Sequence, residues 1–148
     1  MRTSPDPQPN ILLINRNRDG LVVRSALLKE LGYKVTAAQN GEEGLKAFEA
    51  SAFDLVVVDY HMPRVGGVEL TARIRKVNPR ARVILLSGQM EALALTPEST
   101  GADVVLAKSA SEAAQLARSI KRLLNRPVAR KPPASQKSAA AAPRAAKG

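Results

Sequence analysis

The sequence contains no cysteine, and this absence excludes disulfide frameworks, thiolate catalysis and cysteine-ligated zinc. A single histidine, His61, excludes a histidine-rich metal site. Aromatic residues make up only 3% of the chain, so an aromatic stacking platform for single-stranded nucleic acid is not expected. Residues 1–10 lack the apolar stretch of a secretory signal, and the longest apolar runs are far shorter than a membrane span. We therefore expect a cytoplasmic protein.

Acidic residues are absent after Glu112, and positive charge is concentrated at the C-terminal end of the chain. The formal net charge is +10, and residues 126–148 contain six basic residues and no acidic residue. Because this segment lacks apolar periodicity, we expect it to form a disordered basic tail. At the N-terminal end of the chain, we expect a flexible leader over residues 1–9. The tail is either a solubilising extension or an electrostatic arm for nucleic acid or acidic proteins.

Between these ends, residues 10–125 alternate short apolar runs with segments of helical period, and their length is that of one domain. The pattern predicts strands over residues 10–14, 34–38, 53–58, 82–86 and 103–107. It predicts intervening helices over residues 19–31, 40–50, 68–77 and 89–96, and a last helix from Ser109. Apolar strands separated by helices are typical of an α/β fold with a doubly wound, five-stranded parallel sheet. The alternative, a small antiparallel α+β fold, requires hairpin turns, for which the sequence has no tight signal.

The first predicted helix has an apolar face and a clear end. Val23, Leu27 and Leu31 share one face, and Gly32 suits the left-handed position that often follows a helix.

Caps and breaks define the other helices. Asn40 and Glu43 predict a capping box at the start of the second helix, and Ser109 and Glu112 predict another at the start of the last helix. Pro97 is expected to interrupt the short fourth helix.

Polar side chains follow four of the predicted strands. Asn15 and Arg16 come after the first strand, Asp59 after the third, Ser87 after the fourth and Lys108 after the fifth. Ligands of open α/β sheets bind beyond the C-terminal ends of the strands. A carboxylate can accept a phosphoryl group as an acyl phosphate, while an ammonium and a hydroxyl bind the phosphoryl oxygens. No glycine-rich phosphate loop follows the first strand, which argues against a nucleotide-dependent enzyme.

The chain resembles the receiver domain of bacterial response regulators over about residues 10–125. The motifs that carry the resemblance are the strand 55–59, His61-Met62-Pro63, Gly66-Gly67, the strand 83–87 with Gly88, and Gly101-Ala102 leading to Lys108. The resemblance implies a flavodoxin-like (βα)5 fold. It also implies that Asp59 is the phosphoacceptor, Ser87 the switch hydroxyl and Lys108 the lysine that pairs with the phosphoryl group.

The chain departs from the family directly after the first strand, where Asn15 and Arg16 replace two acidic residues that hold Mg²⁺. Magnesium requires oxygen ligands and usually retains at least one protein carboxylate. The candidate ligands are Asp59, Asn15 and the backbone carbonyl of His61, and Arg16 makes all three doubtful. Arg16 could lie in solvent beside Arg18, bind the phosphoryl group, or pair with Asp59. We expect the pairing with Asp59, and hence weak or absent magnesium dependence.

Two further positions differ from the family pattern: Ser109 replaces the proline that usually follows the lysine, and Val105 replaces an aromatic switch residue. We therefore expect one of three functions. The chain is a stand-alone receiver, not an enzyme, phosphorylated by a histidine kinase or phosphotransfer protein and recognised by a downstream protein effector. Alternatively, it is a degenerate receiver that binds partners without phosphorylation, or a protein that contacts nucleic acid through its basic tail. No membrane partner is expected.

Overall fold

The computed structural model describes residues 8–88 and 92–125. Its single sheet contains β1 (Asn10–Ile14), β2 (Lys34–Ala38), β3 (Leu55–Asp59), β4 (Val83–Ser87) and β5 (Val104–Ala107). The strands lie in the order β2-β1-β3-β4-β5, and every neighbouring pair is parallel. This arrangement confirms the predicted parallel sheet and excludes the antiparallel alternative.

Helices cover both faces of the sheet. In the described part of the chain they are α1 (Arg18–Glu30), α2 (Gly41–Ala50), α3 (Gly67–Val77), α4 (Pro97–Thr100) and α5 (Glu112–Leu124). Alternate residues of a strand point to opposite faces. Leu13 and Val57 therefore lie in one core with residues of α1 and α5, whereas Ile14 and Val58 lie in a second core with residues of α2 and α3. The fold is thus doubly wound, as predicted.

The buried face of α1 differs from the predicted one. Leu21 and Leu28 are buried, while Val23 is 67% exposed and Leu31 is 45% exposed. The first turn of the helix is followed by three consecutive apolar residues, Leu21, Val22 and Val23, so periodicity alone does not decide which of them faces the sheet. The helix ends as expected, with Gly32 at a φ of 101°.

The cap of α2 matches its prediction only in part. The Asn40 side chain accepts a hydrogen bond from the Glu43 backbone N–H at 2.8 Å. The Glu43 carboxylate, however, accepts from the backbone N–H of Gln39 at 2.8 Å, one residue before the expected partner.

The capping box predicted for α5 is wrong. Ser111 precedes the helix and makes no side-chain capping bond. The Glu112 carboxylate, which the box would use, instead binds Arg24 on α1.

The predicted interruption at Pro97 is observed, since Leu95 and Thr96 are not helical, and Pro97 begins a separate helix. Thr96 caps α4 by accepting from the Ser99 N–H at 2.9 Å, and the Ser99 hydroxyl accepts from the Thr96 N–H at 3.0 Å. Proline fits the first helical position because no hydrogen bond from its nitrogen is needed there. Residues 89–91 of the predicted fourth helix lie outside the described residues.

Both predicted chain ends fall largely outside the described part of the chain. The leader is described only from Gln8 onwards, and the tail over 126–148 is not described. Within the described ranges, no helix is long and apolar enough to cross a membrane.

Candidate functional site

Asp59 lies at the C-terminal edge of the sheet, at the end of a central strand. All five residues of β3 are buried, and the strand pairs with β1 on one side and β4 on the other. Asp59 is only 2% exposed. The apolar strand therefore carries a carboxylate to the middle of the edge where ligands bind in this fold class.

Lys108 lies against this carboxylate, as the sequence predicts. Its Nζ donates to Asp59 Oδ1 at 2.8 Å, and the backbone N–H of His61 donates to the same oxygen at 3.3 Å. Asp59 Oδ2 accepts no hydrogen bond from any residue that the structure describes. The Asp59 side chain is 3% exposed and that of Lys108 is 34% exposed. The ion pair is therefore shielded on the carboxylate side and open to solvent on the ammonium side, which strengthens it relative to a surface pair.

Ser87 ends β4 between these two groups. It is 1% exposed, and its backbone carbonyl accepts from the Lys108 N–H at 2.8 Å. Because β4 lies between β3 and β5, the structure brings Asp59, Ser87 and Lys108 to one edge of the sheet. The predicted proximity of Asp59, Ser87 and Lys108 is therefore observed.

Asn15 is buried at the same edge of the sheet, directly after β1. It is 1% exposed, and its Oδ1 accepts from the backbone N–H of Asn17 at 2.8 Å. Asn17 in turn caps α1 by accepting from the Gly20 N–H at 3.0 Å. The amide oxygen of Asn15 thus holds the turn that leads into the helix.

Arg16 does not pair with Asp59, and that prediction is wrong. The residue is exposed and forms no ion pair with the described part of the chain. Arg16 lies two residues beyond the end of β1, between the buried Asn15 and the helix cap Asn17, where the chain leaves the sheet. Arg16 thus takes the alternative in which its side chain lies in solvent.

The described strand ends at this edge supply one carboxylate for Mg²⁺, which is the smallest number that such sites usually contain. Asp59 is the carboxylate at the strand ends, Asn15 uses its amide oxygen in the turn, and the third candidate is the backbone carbonyl of His61. Among residues 8–88 and 92–125, no group of three or more His, Asp or Glu side chains could hold a metal ion. Magnesium is usually held by one or two carboxylates together with waters.

Sequence reasoning missed Arg24 and Glu112, which lie beside the site. Together with Asn15 and Lys108, they line a groove of about 460 Å³. Arg24 does not belong to the predicted apolar face of α1, and the sequence predicts Glu112 as part of a helix cap. No local signal joins two residues that are 88 positions apart.

Comparison with known proteins identifies a family. Residues 11–121 match the model of the response regulator receiver domain. The chain is 34% identical over 121 residues to the gliding motility regulatory protein of Myxococcus xanthus, covering 76% of this chain and 15% of that protein. It is 31% identical over 79 residues to a response regulator receiver protein of Anaeromyxobacter sp., covering 53% of this chain and 33% of that protein. It is 37% identical over 68 residues to histidine kinase 5 of Arabidopsis thaliana, covering 46% of this chain and 7% of that protein. The chain thus matches no more than a third of the length of these relatives.

Solved structures agree with this result. The response regulator TrrA of Thermotoga maritima, in complex with Mg²⁺ and BeF, superposes with a TM-score of 0.72 at 32% identity, over 78% of this chain and 99% of that one. A response regulator receiver domain protein from Clostridium thermocellum superposes with a TM-score of 0.71 at 29% identity, over 79% of this chain and 94% of that one.

Proposed function

Because this chain belongs to the response regulator receiver domain family of two-component signalling, we propose that it accepts a phosphoryl group on Asp59. The observation that carries the proposal is the contact between the buried Asp59 carboxylate and the Lys108 ammonium, with Nζ at 2.8 Å from Oδ1. A carboxylate held beside a cation at this edge of the sheet is prepared for the negative charge that phosphoryl transfer brings.

The proposed step is a direct displacement at phosphorus. Asp59 Oδ2, which accepts no hydrogen bond within the described ranges, attacks the phosphorus atom of the donor. The new O–P bond gives an acyl phosphate, and the bond from phosphorus to the leaving group breaks, with its electron pair passing to that group. Lys108 and the Ser87 hydroxyl bind the phosphoryl oxygens, so the protein acts mainly by positioning and by neutralising charge.

The proposed donor is the phosphorylated imidazole of a histidine kinase or phosphotransfer protein, and a downstream protein effector recognises the altered surface. Similarity to part of a histidine kinase supports this setting. We further propose weak magnesium dependence, since Asn15 and Arg16 stand where the family has two acidic residues.

Incubation of the full chain with acetyl phosphate, followed by intact-mass measurement, tests the function. Wild-type protein should gain one phosphoryl mass, and Asp59→Asn should gain none. Asp54→Asn is the matched control, because Asp54 is an exposed aspartate directly before β3, at the opposite end of that strand from Asp59. An adduct that survives in Asp59→Asn, or is lost in Asp54→Asn, would contradict the assignment of Asp59.

A second candidate function is partner binding without phosphorylation. The observation that favours it is the loss of acidic residues at positions 15 and 16, which removes the donor set for a dedicated metal site. The same assay separates the two functions: a folded wild-type chain that forms no adduct with any donor, with or without Mg²⁺, would support the binding module.

A further inference from the structure

An ion pair joins α1 to the start of α5 beside the site. Arg24 Nε donates to Glu112 Oε2 at 2.6 Å, and Arg24 Nη2 donates to Glu112 Oε1 at 2.9 Å. The side chains are 14% and 13% exposed. Two parallel hydrogen bonds between a guanidinium and a carboxylate fix relative orientation as well as distance. This pair therefore sets how the first turn of α5 lies against α1.

The link from Lys108 to Glu112 depends on this contact. At one end, the Lys108 N–H donates to the Ser87 carbonyl at 2.8 Å. At the other end, Ser111 provides no side-chain cap for the helix. Ser109 stands where the resemblance predicts proline, so the link also lacks a residue with a fixed φ angle. Within the link, the Ser109 hydroxyl accepts from the Ser111 N–H at 3.3 Å, and Glu112 is the side chain that ties this end of the link to α1.

Arg24 also reaches the end of β1. A Cβ atom added to Gly20 would lie 2.6 Å from Arg24 Nη1 and 3.1 Å from Asn15 Nδ2. The guanidinium therefore passes over a glycine that leaves room for it, next to Asn15. Arg24, Asn15, Lys108 and Glu112 line the same groove. The ion pair thus connects the β1 end of the site to the link that carries Lys108.

We propose that Arg24 and Glu112 are positioning residues that hold the Lys108 ammonium against Asp59. The Lys108 side chain is 34% exposed, so burial alone does not fix its direction. With its backbone anchored on both sides, the ammonium is held where the phosphoryl group arrives. For its kinetic readout, this inference rests on the proposed phosphorylation of Asp59.

The test measures the rate of adduct formation from acetyl phosphate in the full-length variants Arg24→Gln and Glu112→Gln. Each should be about tenfold slower than wild type, since misplacing a reacting group by about 1 Å can cost up to about 100-fold. The double exchange Arg24→Glu with Glu112→Arg should recover part of the rate. Glu69→Gln is the matched control, because Glu69 forms an exposed pair with Arg73 at 2.8 Å on α3. Equal rates for Arg24→Gln and Glu69→Gln would overturn the proposal.

Repetition in the Lys108→Ala background separates positioning from a merely structural role. If Arg24 acts through Lys108, Arg24→Gln should cause no further loss once Lys108 is absent. An equal loss in both backgrounds would overturn the proposal.

A readout on unphosphorylated protein keeps the inference distinct from the proposed function. The carbon-13 resonance of the Asp59 carboxyl group, assigned with Asp59→Asn, should move in Arg24→Gln towards its position in Lys108→Ala. If this shift occurs but wild-type protein forms no adduct, the positioning role stands and the proposed function fails. If the adduct forms but neither the shift nor the rate responds to Arg24→Gln, the positioning role fails alone.

Discussion

Two ion pairs lie at opposite edges of the sheet, and they differ in how completely their hydrogen bonds are satisfied. At the N-terminal edge, the side chain of Arg75 is 1% exposed and binds Asp103 Oδ2 at 3.0 Å. Its other nitrogens donate to the carbonyls of Gly101 at 3.0 Å and Ala81 at 2.8 Å. At the C-terminal edge, the Lys108 side chain is 34% exposed and, within residues 8–88 and 92–125, binds Asp59 alone.

This difference assigns different roles to the two edges. Each nitrogen of the Arg75 guanidinium donates to an acceptor of the folded chain, and its burial leaves no open side for a ligand. An ammonium has three N–H donors, and Lys108 uses one of them on the described residues, so the other two can serve phosphoryl oxygens. We therefore expect the ion pair at the N-terminal edge to stabilise the fold, and the one at the C-terminal edge to serve the proposed phosphorylation.

The largest effect on stability is expected at the N-terminal edge. Arg75→Met removes a buried guanidinium that binds Asp103 Oδ2 and two backbone carbonyls, and the free energy of unfolding should fall by about 3–5 kcal/mol. Urea denaturation measures this change. Arg73→Gln, which breaks an exposed pair on the same helix, should cost only about 0.3–0.5 kcal/mol. Similar losses of unfolding free energy in the two variants would show that the buried pair at the N-terminal edge contributes no more to stability than an exposed pair.

Lys108→Ala should act mainly on chemistry. A hydrogen bond to a charged group contributes about 1.5–3 kcal/mol, which corresponds to a rate loss of about 10-fold to 100-fold in adduct formation on Asp59. The rate with acetyl phosphate, followed by intact mass, measures it. Lys46→Ala provides a control, since Lys46 lies on α2 outside the site. An unchanged rate in Lys108→Ala would show that the Lys108 ammonium does not assist phosphorylation of Asp59.

Restoring two acidic residues after β1 should make the site respond to magnesium. The double variant Asn15→Asp with Arg16→Asp places carboxylates where oxygen ligands are missing. We expect Mg²⁺ to accelerate its phosphorylation by about tenfold, equivalent to 1.4 kcal/mol. Wild-type protein should respond much less in the same titration. Identical magnesium responses in the two proteins would mean that the residues after β1 do not determine metal use.

The smallest effect on phosphorylation is expected from removal of the basic tail. The helix α5 starts at the C-terminal edge and leads away from it, so truncation after Asn125 should leave the rate of adduct formation unchanged. The same truncation removes six positive charges and should reduce retention on DNA at low salt. Equal DNA retention for the full and truncated chains would exclude nucleic-acid contact through the tail.

Much of this arrangement follows from short-range patterns. Apolar strands alternating with helices predict the parallel sheet, and in such a sheet all strands end at one edge. The proximity of Asp59 to Lys108, which are 49 positions apart, is therefore predictable. The resemblance to receiver domains adds their expected roles.

Side-chain directions at turns and long-range pairs were not predictable. Asn15 is buried whereas Arg16 is exposed, and nothing in a local sequence pattern decides between them. Glu112 binds Arg24 rather than capping its own helix, because a partner distant in sequence competes for the carboxylate. Arg75 is buried although hydropathy places arginine at the surface, since three acceptors surround it only in the folded chain.

The most direct test of the central claim is the intact mass of wild-type protein after treatment with acetyl phosphate in a buffer that contains a metal chelator. The account predicts a single phosphoryl adduct, located on Asp59 and absent from Asp59→Asn. An adduct that forms only when millimolar Mg²⁺ is added, or that lies on another residue, would contradict it.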